Sequence, residues 1–284
     1  MFTEPVSTEI VCQVACQDQR QLLQKHFSTM FRVYSEARLV PSAAFETDNG
    51  MERFLSGVAS PFFNGVIGCP LANDWDKRID EQLAYFNKAN VPFVWYLDEE
   101  SSPEFKQKLI ERGFQDGGIF RGVIGSLDKP IPNPEVSDDY ILESVQDEAT
   151  MNEFNELVCS TFGVQGVNKE LYKKILWNGT KSKQRPMFHW IARKQGKIVS
   201  ALTTFIEGDM VSFWNGASLP EVRCQGVSTA LRRFALQSAV SKGCRIGASY
   251  LMSEGMALGI CSKLGYEPKW RFNVFFSPSA QNQH

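Results

Sequence analysis

Apolar positions recur in the same order in the two halves of the chain. Between residues 76 and 90, Ile79, Leu83 and Phe86 fall at helical spacing. A short apolar run rich in β-formers follows at 91–97, Val-Pro-Phe-Val-Trp-Tyr-Leu, and predicts a strand. Residues 102–115 predict a helix with proline in its first turn, ending at Gly113 with Phe114 next. Residues 118–127 then read as a strand. The second half repeats the order with a helix over 229–243, a strand over 244–251, a helix over 255–268 that ends at Gly265 with Tyr266 next, and a strand over 269–276. The spacings differ by a couple of residues, so the repeat is one of pattern, not identity.

Ahead of the second unit, 149–163 and 169–179 are helical by periodicity. Residues 186–219 read as three strands with tight turns at Gln195-Gly196 and Glu207-Gly208-Asp209. The second half is therefore strand, two helices, three antiparallel strands, helix, strand, helix, strand: an α+β arrangement with a helical crossover late in the chain. Between the halves, residues 126–139 carry Pro130, Pro132 and Pro134 among acidic and polar residues and can extend neither a helix nor a central strand. We expect two domains, 1–130 and 138–277, joined by this linker and followed by a tail at 278–284.

The bulk numbers narrow the classes. The chain has 284 residues, 43% hydrophobic and 22% charged, an ordinary globular mixture. Its net charge of -2 supplies no basic field, so neither nucleic acid nor an acidic membrane is an expected partner. No basic, apolar leader pattern opens the chain, and no run approaches the roughly 18 apolar residues of a membrane span. The seven cysteines are scattered; Cys12 and Cys16 lie a helical turn apart without a cluster around them, and His26, His189 and His284 are far apart. Reduced thiols, a cytoplasmic location and no metal are expected.

The candidate chemistry lies at 218–231, Ser-Leu-Pro-Glu-Val-Arg-Cys-Gln-Gly-Val-Ser-Thr-Ala-Leu. A helix that starts near Gly226 presents unpaired N–H groups at its positive end, where an anion is favoured. Close approach of a phosphate needs small residues and a permissive turn, which Gly226, Ser228 and Thr229 offer. Arg223 and the amides of Cys224, Gln225, Gly226, Val227 and Ser228 then form a ring of donors. The stretch is neither a Walker loop nor a G-x-G-x-x-G fingerprint. The plain alternative is an ordinary helix N-terminus.

The spacing Arg-x-x-Gly-x-small, after Leu-Pro-Glu and before Ala-Leu, resembles the acyl-CoA pyrophosphate loop of the GNAT N-acetyltransferase superfamily. The resemblance runs through 138–276 in element order and includes Ile-Cys-Ser-Lys-Leu-Gly-Tyr-Glu-Pro at 260–268. It implies a pyrophosphate on residues 223–229 and a pantetheine arm along the strand end, against backbone groups of Ala217 and Ser218. It also implies a thioester between splayed strands, with a strand amide near Asn215 to Ala217 polarising its carbonyl, and direct attack by an amine. Acetyl-CoA is the implied cosubstrate and a small-molecule or peptide amine the acceptor. A monomer is expected, with a homodimer as the alternative.

Where the family usually has a tyrosine acid, this chain has Cys261. A thiol can protonate a thiolate, but a small buried core residue is the plainer reading, with Ser253, Tyr250, Ser262 or water in its place. Glu254, past the preceding strand, is the candidate base, against a solvated loop carboxylate. Glu221 reads as a loop or capping residue, and His189 as a packed histidine.

The matching place in the first half, 68–79, reads Gly-Cys-Pro-Leu-Ala-Asn-Asp-Trp-Asp-Lys-Arg-Ile. Asp74 and Asp76 stand where a phosphate would sit, and no arginine precedes the turn at the matching place. The expected fold is thus two GNAT-like domains, each a mixed, mostly antiparallel sheet flanked by helices, with the first a degenerate copy of the tandem type that cannot bind CoA. An unrelated α/β domain is the alternative there. The expected function is acetyl-CoA-dependent N-acetyl transfer. The alternatives are a catalytically silent acyl-CoA sensor or scaffold, and an interaction module without a CoA site.

Overall fold

A computed structural model describes residues 8–71, 74–252 and 256–279. The first half comprises α1 (Thr8–Glu36), β1 (Ala44–Asp48), β2 (Met51–Leu55), β3 (Asn64–Ile67), α2 (Trp75–Ala89), β4 (Val94–Asp98), α3 (Pro103–Glu111) and β5 (Gln115–Ser126). The second comprises β6 (Tyr140–Ser144), α4 (Glu148–Phe162), α5 (Val167–Gly179), β7 (Met187–Lys194), β8 (Lys197–Glu207) and β9 (Met210–Ser218), then α6 (Val227–Ser241), β10 (Ile246–Met252), α7 (Met256–Lys263) and β11 (Glu267–Phe276).

Local chemistry explains the element ends. Proline sits in the first turn of α3, where no N–H is missed, and the Ser102 side chain accepts from the Phe105 amide. Asp147 caps α4 by accepting from the Thr150 amide, and Gly163 closes it in the left-handed region. The β7–β8 turn has positive φ at both Gln195 and Gly196, as a two-residue hairpin requires.

The eleven strands form one sheet in the order β1-β2-β3-β4-β11-β5-β10-β9-β8-β7-β6. Two neighbouring pairs are parallel, β3 with β4 and β9 with β10, one in each half. The rest are antiparallel. The sheet differs from the expected pair of separate sheets because the last strands are exchanged. β5 of the first half lies against β10 of the second, and β11 lies against β4 of the first. The sheet therefore does not divide at 126–139.

Tyr266 shows how that exchange is keyed. Gly125 of β5 and Gly247 of β10 face each other in register. A Cβ on Gly125 would meet the Tyr266 ring at 2.6 Å, and one on Gly247 would meet its hydroxyl at 1.8 Å. The ring fills the space the two glycines leave, so the aromatic after Gly265 packs across the joint between the halves.

The core is shared as well. Leu23, Phe27, Met30, Phe31 and Tyr34 of α1 recur at helical spacing and are buried in one cluster with Phe54, Tyr96, Trp270 and Phe272, and also with Phe154 and Ile175 of the second half. The α1 helix thus packs on strands of both halves.

Candidate functional site

The site is built where β9 and β10 part. Their parallel pairing runs from Met210 opposite Ile246 to Phe213 opposite Ser249 and stops there. Beyond it, β9 stays with β8 and β10 stays with β5. A register shift between Ala201 and Thr203 of β8 marks a bulge in β9, and Asn215 within it has φ 55°. A bulge bends its strand and ends pairing on one side, which opens a gap in the sheet.

A buried polar chain holds Asn215 in this conformation. The Tyr172 hydroxyl donates to Asn215 Oδ1, and Asn215 Nδ2 donates to Thr203 Oγ1 at 3.0 Å. Thr203 Oγ1 lies 2.9 Å from His189 Nδ1, and His189 Nε2 lies 3.3 Å from the Leu176 carbonyl. A carbonyl only accepts, so the hydrogen-bond pattern assigns the proton to Nε2 and leaves Nδ1 to accept from Thr203. Every member is then satisfied with His189 neutral. Burial pushes its pKa down to about 4, which agrees. The packed histidine expected from the sequence is therefore also the end of the network that fixes the bulge.

The α6 helix starts beside this gap. Cys224 has φ 61° and Gly226 φ 81°, and no side chain caps the helix. A cleft of about 610 Å³ lies over the helix start. Of the expected residues, Ser218, Arg223, Cys224, Gly226, Val227, Ser228 and Thr229 line it. Ala217 is buried at 4% exposure and turns away, while Gly216 and Ser218 on either side face the cleft. Gln225 also lies outside the lining. It accepts from the Tyr140 hydroxyl at 2.5 Å and donates to the Glu221 carbonyl at 2.7 Å, tying the loop to β6. Arg223 Nε reaches the Ser218 carbonyl at 3.3 Å. The charged lining residues are Arg223, Arg232 and Lys263, with no carboxylate among the described ones.

Arg232 escaped the sequence reading. It sits in α6 with its side chain 7% exposed, over the Phe213 ring with its guanidinium carbon 4.8 Å from the centroid. Its Nε and Nη1 have no hydrogen-bond partner among the described residues. Burial pulls its pKa below the usual arginine value, but a guanidinium stays charged. The available signal was position: Arg232 lies on the same helix stripe as the buried Ala235, Leu236 and Ala239.

A second cavity, of about 290 Å³, adjoins the cleft and shares Gly216, Arg232 and Ala257 with its lining. Its wall is mainly aromatic and comes from both halves, including Phe27, Phe31, Tyr96, Trp214, Tyr250 and Phe272. Tyr250 donates its hydroxyl to the Leu23 carbonyl at 2.9 Å.

The structure does not bring Cys261 to the cleft. It is fully buried in the α6–β10–α7 core, where burial pushes its thiol pKa up. Ser262 is exposed, outside the lining. Glu254 and Ser253 lie outside the described residues. At the start of α2, Asp76 is bound by Lys108 at 2.6 Å and Arg112 at 2.9 Å, and Asp74 by Arg78 at 3.3 Å. Among the described residues no three His, Cys, Asp or Glu side chains group as a metal site, and no helix is long and apolar enough to cross a membrane.

No protein-family model matches the sequence, and no curated protein matches it. Solved structures do. A GCN5-related N-acetyltransferase from Kribbella flavida is 16% identical with a TM-score of 0.59, over 86% of this chain and 94% of that one. One from Sphaerobacter thermophilus is 14% identical with a TM-score of 0.61, over 80% and 76%. A tandem GNAT protein from the clavulanic acid biosynthesis pathway is 12% identical with a TM-score of 0.56, over 81% and 78%. Each of these matches spans parts of both halves, because none leaves as much as one half of this chain uncovered. At such identities the likeness is one of fold: the chain has the fold of the GCN5-related N-acetyltransferases.

Proposed function

We propose that this chain transfers an acyl group from a coenzyme A thioester, of which acetyl-CoA is the simplest, to the amine of a small molecule or peptide. The observation that carries this reading is the uncapped α6 N-terminus, ringed by cations and opening directly onto the gap between β9 and β10. A pyrophosphate fits the amides of residues 224–229 together with Arg223 and Lys263. The pantetheine arm runs along β9 past Ser218 and Gly216, which places the thioester beside Arg232.

In this reading the amine nitrogen attacks the thioester carbonyl carbon directly, and the carbon–sulfur bond breaks as the amide forms. The amine loses a proton to water in the open cleft, and the departing thiolate gains one. Arg232 faces the carbonyl oxygen, where negative charge develops. A buried guanidinium whose Nε and Nη1 have no partner among the described residues is suited to that task because little solvent competes with it. Cys261 has no part in the transfer, since its thiol is enclosed in the core.

The first half is read as a degenerate copy without a CoA site. Carboxylates occupy the α2 start, and its contribution is the wall of α1 and β4 facing the gap. The chain works as a monomer in this account. The absence of Cys261 from the cleft favours one second reading, a CoA-binding protein that does not turn over. Titration calorimetry with CoA, alongside thiol release from acetyl-CoA over a panel of amines, separates the two. Binding with release supports the enzyme, binding without release supports the sensor, and no binding at millimolar CoA overturns both.

A further inference from the structure

Resting on that reading, the geometry points to an apolar acyl group much larger than acetyl as the one transferred, seated in the aromatic cavity beyond the thioester. The cavity adjoins the CoA cleft, and the two share Gly216, Arg232 and Ala257 in their walls. An acyl chain on a thioester at Arg232 has this cavity as its neighbour.

Size is the first argument. The cavity measures about 290 Å³. An apolar cavity of about 150 Å³ stays dry and takes a benzene ring. A two-carbon acetyl group leaves most of the present space unfilled, whereas an aryl-alkanoyl or medium-chain acyl group occupies it.

Charge is the second argument and chooses between the two substrates. Among the described residues, the only charged side chain in the lining is Arg232, and no carboxylate lines the cavity. Aromatic faces attract cations, so a protonated amine has some affinity for such a wall. Seated there, it would lie against the Arg232 cation on the same wall, which disfavours it. An uncharged acyl chain meets no such repulsion.

Access is the third. Phe62 and Phe162 stand at the cavity wall with 39% and 47% of their surface exposed. The wall is therefore open to solvent in part, which lets the amine approach the thioester while the chain stays against the deeper rings.

The test is a donor series on the full chain: free CoA, then acetyl-, butyryl-, hexanoyl-, octanoyl- and phenylacetyl-CoA. Binding is measured by titration calorimetry and thiol release with a fixed amine panel. Burial of each methylene tightens binding by roughly fourfold. The expected result is a dissociation constant at least tenfold lower for hexanoyl- or phenylacetyl-CoA than for acetyl-CoA. Ser60→Phe, on the cavity wall and outside the CoA cleft, should erase that gain while leaving free CoA binding unchanged. The wild-type series stands alone should that variant fail to fold. Equal affinity and equal turnover across the series overturn the inference and leave the CoA-dependent reading standing. A gradient that follows the size of the amine instead of the acyl group assigns the cavity to the acceptor and also overturns it. Failure of free CoA and every thioester to bind overturns the reading beneath it.

Discussion

Replacing Arg232 by methionine should make the protein more stable and nearly inactive. Arg232 is a buried cation whose Nε and Nη1 lack partners among the described residues. A buried donor without a partner costs about 1–3 kcal/mol, so the two together oppose folding by roughly 2–6 kcal/mol. The contact with Phe213 returns up to about 2 kcal/mol, which methionine forgoes. Methionine fills similar space, and apolar replacement of buried charges gains about 1–4 kcal/mol in measured cases. We expect a net gain of roughly 2 kcal/mol, read as a higher urea midpoint with an unchanged slope. Losing one donor to the developing oxyanion should lower turnover by about 10²–10³-fold. CoA affinity should hold, because the α6 N-terminus is untouched. Arg232→Lys keeps the charge without the planar fork and should fall between the two in rate. A lower urea midpoint with full activity in Arg232→Met would make this arginine structural and refute the reasoning.

Four further outcomes follow from the same geometry. Arg223→Glu should weaken CoA binding by about 10–100-fold, the worth of a charged hydrogen bond, with little effect on folding; unchanged affinity in calorimetry removes Arg223 from the site. Gly226→Val should lose about 1–2 kcal/mol of stability from its left-handed φ alone, since a Cβ there meets only the Glu135 carbonyl at 3.8 Å, and should lose CoA affinity further by blocking close approach. Gly247→Ala should cost about 1–3 kcal/mol by displacing Tyr266 from the strand exchange; a neutral effect on the urea midpoint would contradict that packing. His189 is neutral when folded, with its pKa near 4 against an ordinary 6.5. Between those values the unfolded chain binds a proton that the folded chain does not, so stability drops as pH falls through that window, by roughly 2–4 kcal/mol from this side chain at pH 4. His189→Gln should flatten that slope in urea titrations at pH 7, 5.5 and 4.5, and an identical slope would refute the neutral assignment.

The elements that periodicity marked were legible to within a few residues. The helix expected over 76–90 is α2 (Trp75–Ala89), and that expected over 229–243 is α6 (Val227–Ser241). The exchange of β5 and β11 was not legible, because alternation specifies which face a strand buries and not which strand it joins. The α1 helix and the three strands after it also went unmarked, although α1 supplies Phe27, Phe31 and Tyr34 to the core. At the site, Gly226 was readable because a left-handed turn before a helix demands glycine. Ala217 and Gln225 were named for their backbone groups; their side chains lie elsewhere, Ala217 in the core and Gln225 against Tyr140. Cys261 was placed by the family's tyrosine, but the packing of α7 encloses it. Arg232 read as one more helical residue, since the missing partners of its Nε and Nη1 among the described residues exist only in three dimensions.

The most direct measurement is a crystal structure of the chain soaked with free coenzyme A. The account places the pyrophosphate against the amides of residues 224–229, within hydrogen-bond distance of Arg223, with the thiol beside Arg232. Density for the pyrophosphate at the start of α2, beside Asp74 and Trp75, or its absence from the α6 cleft at saturating ligand, contradicts it.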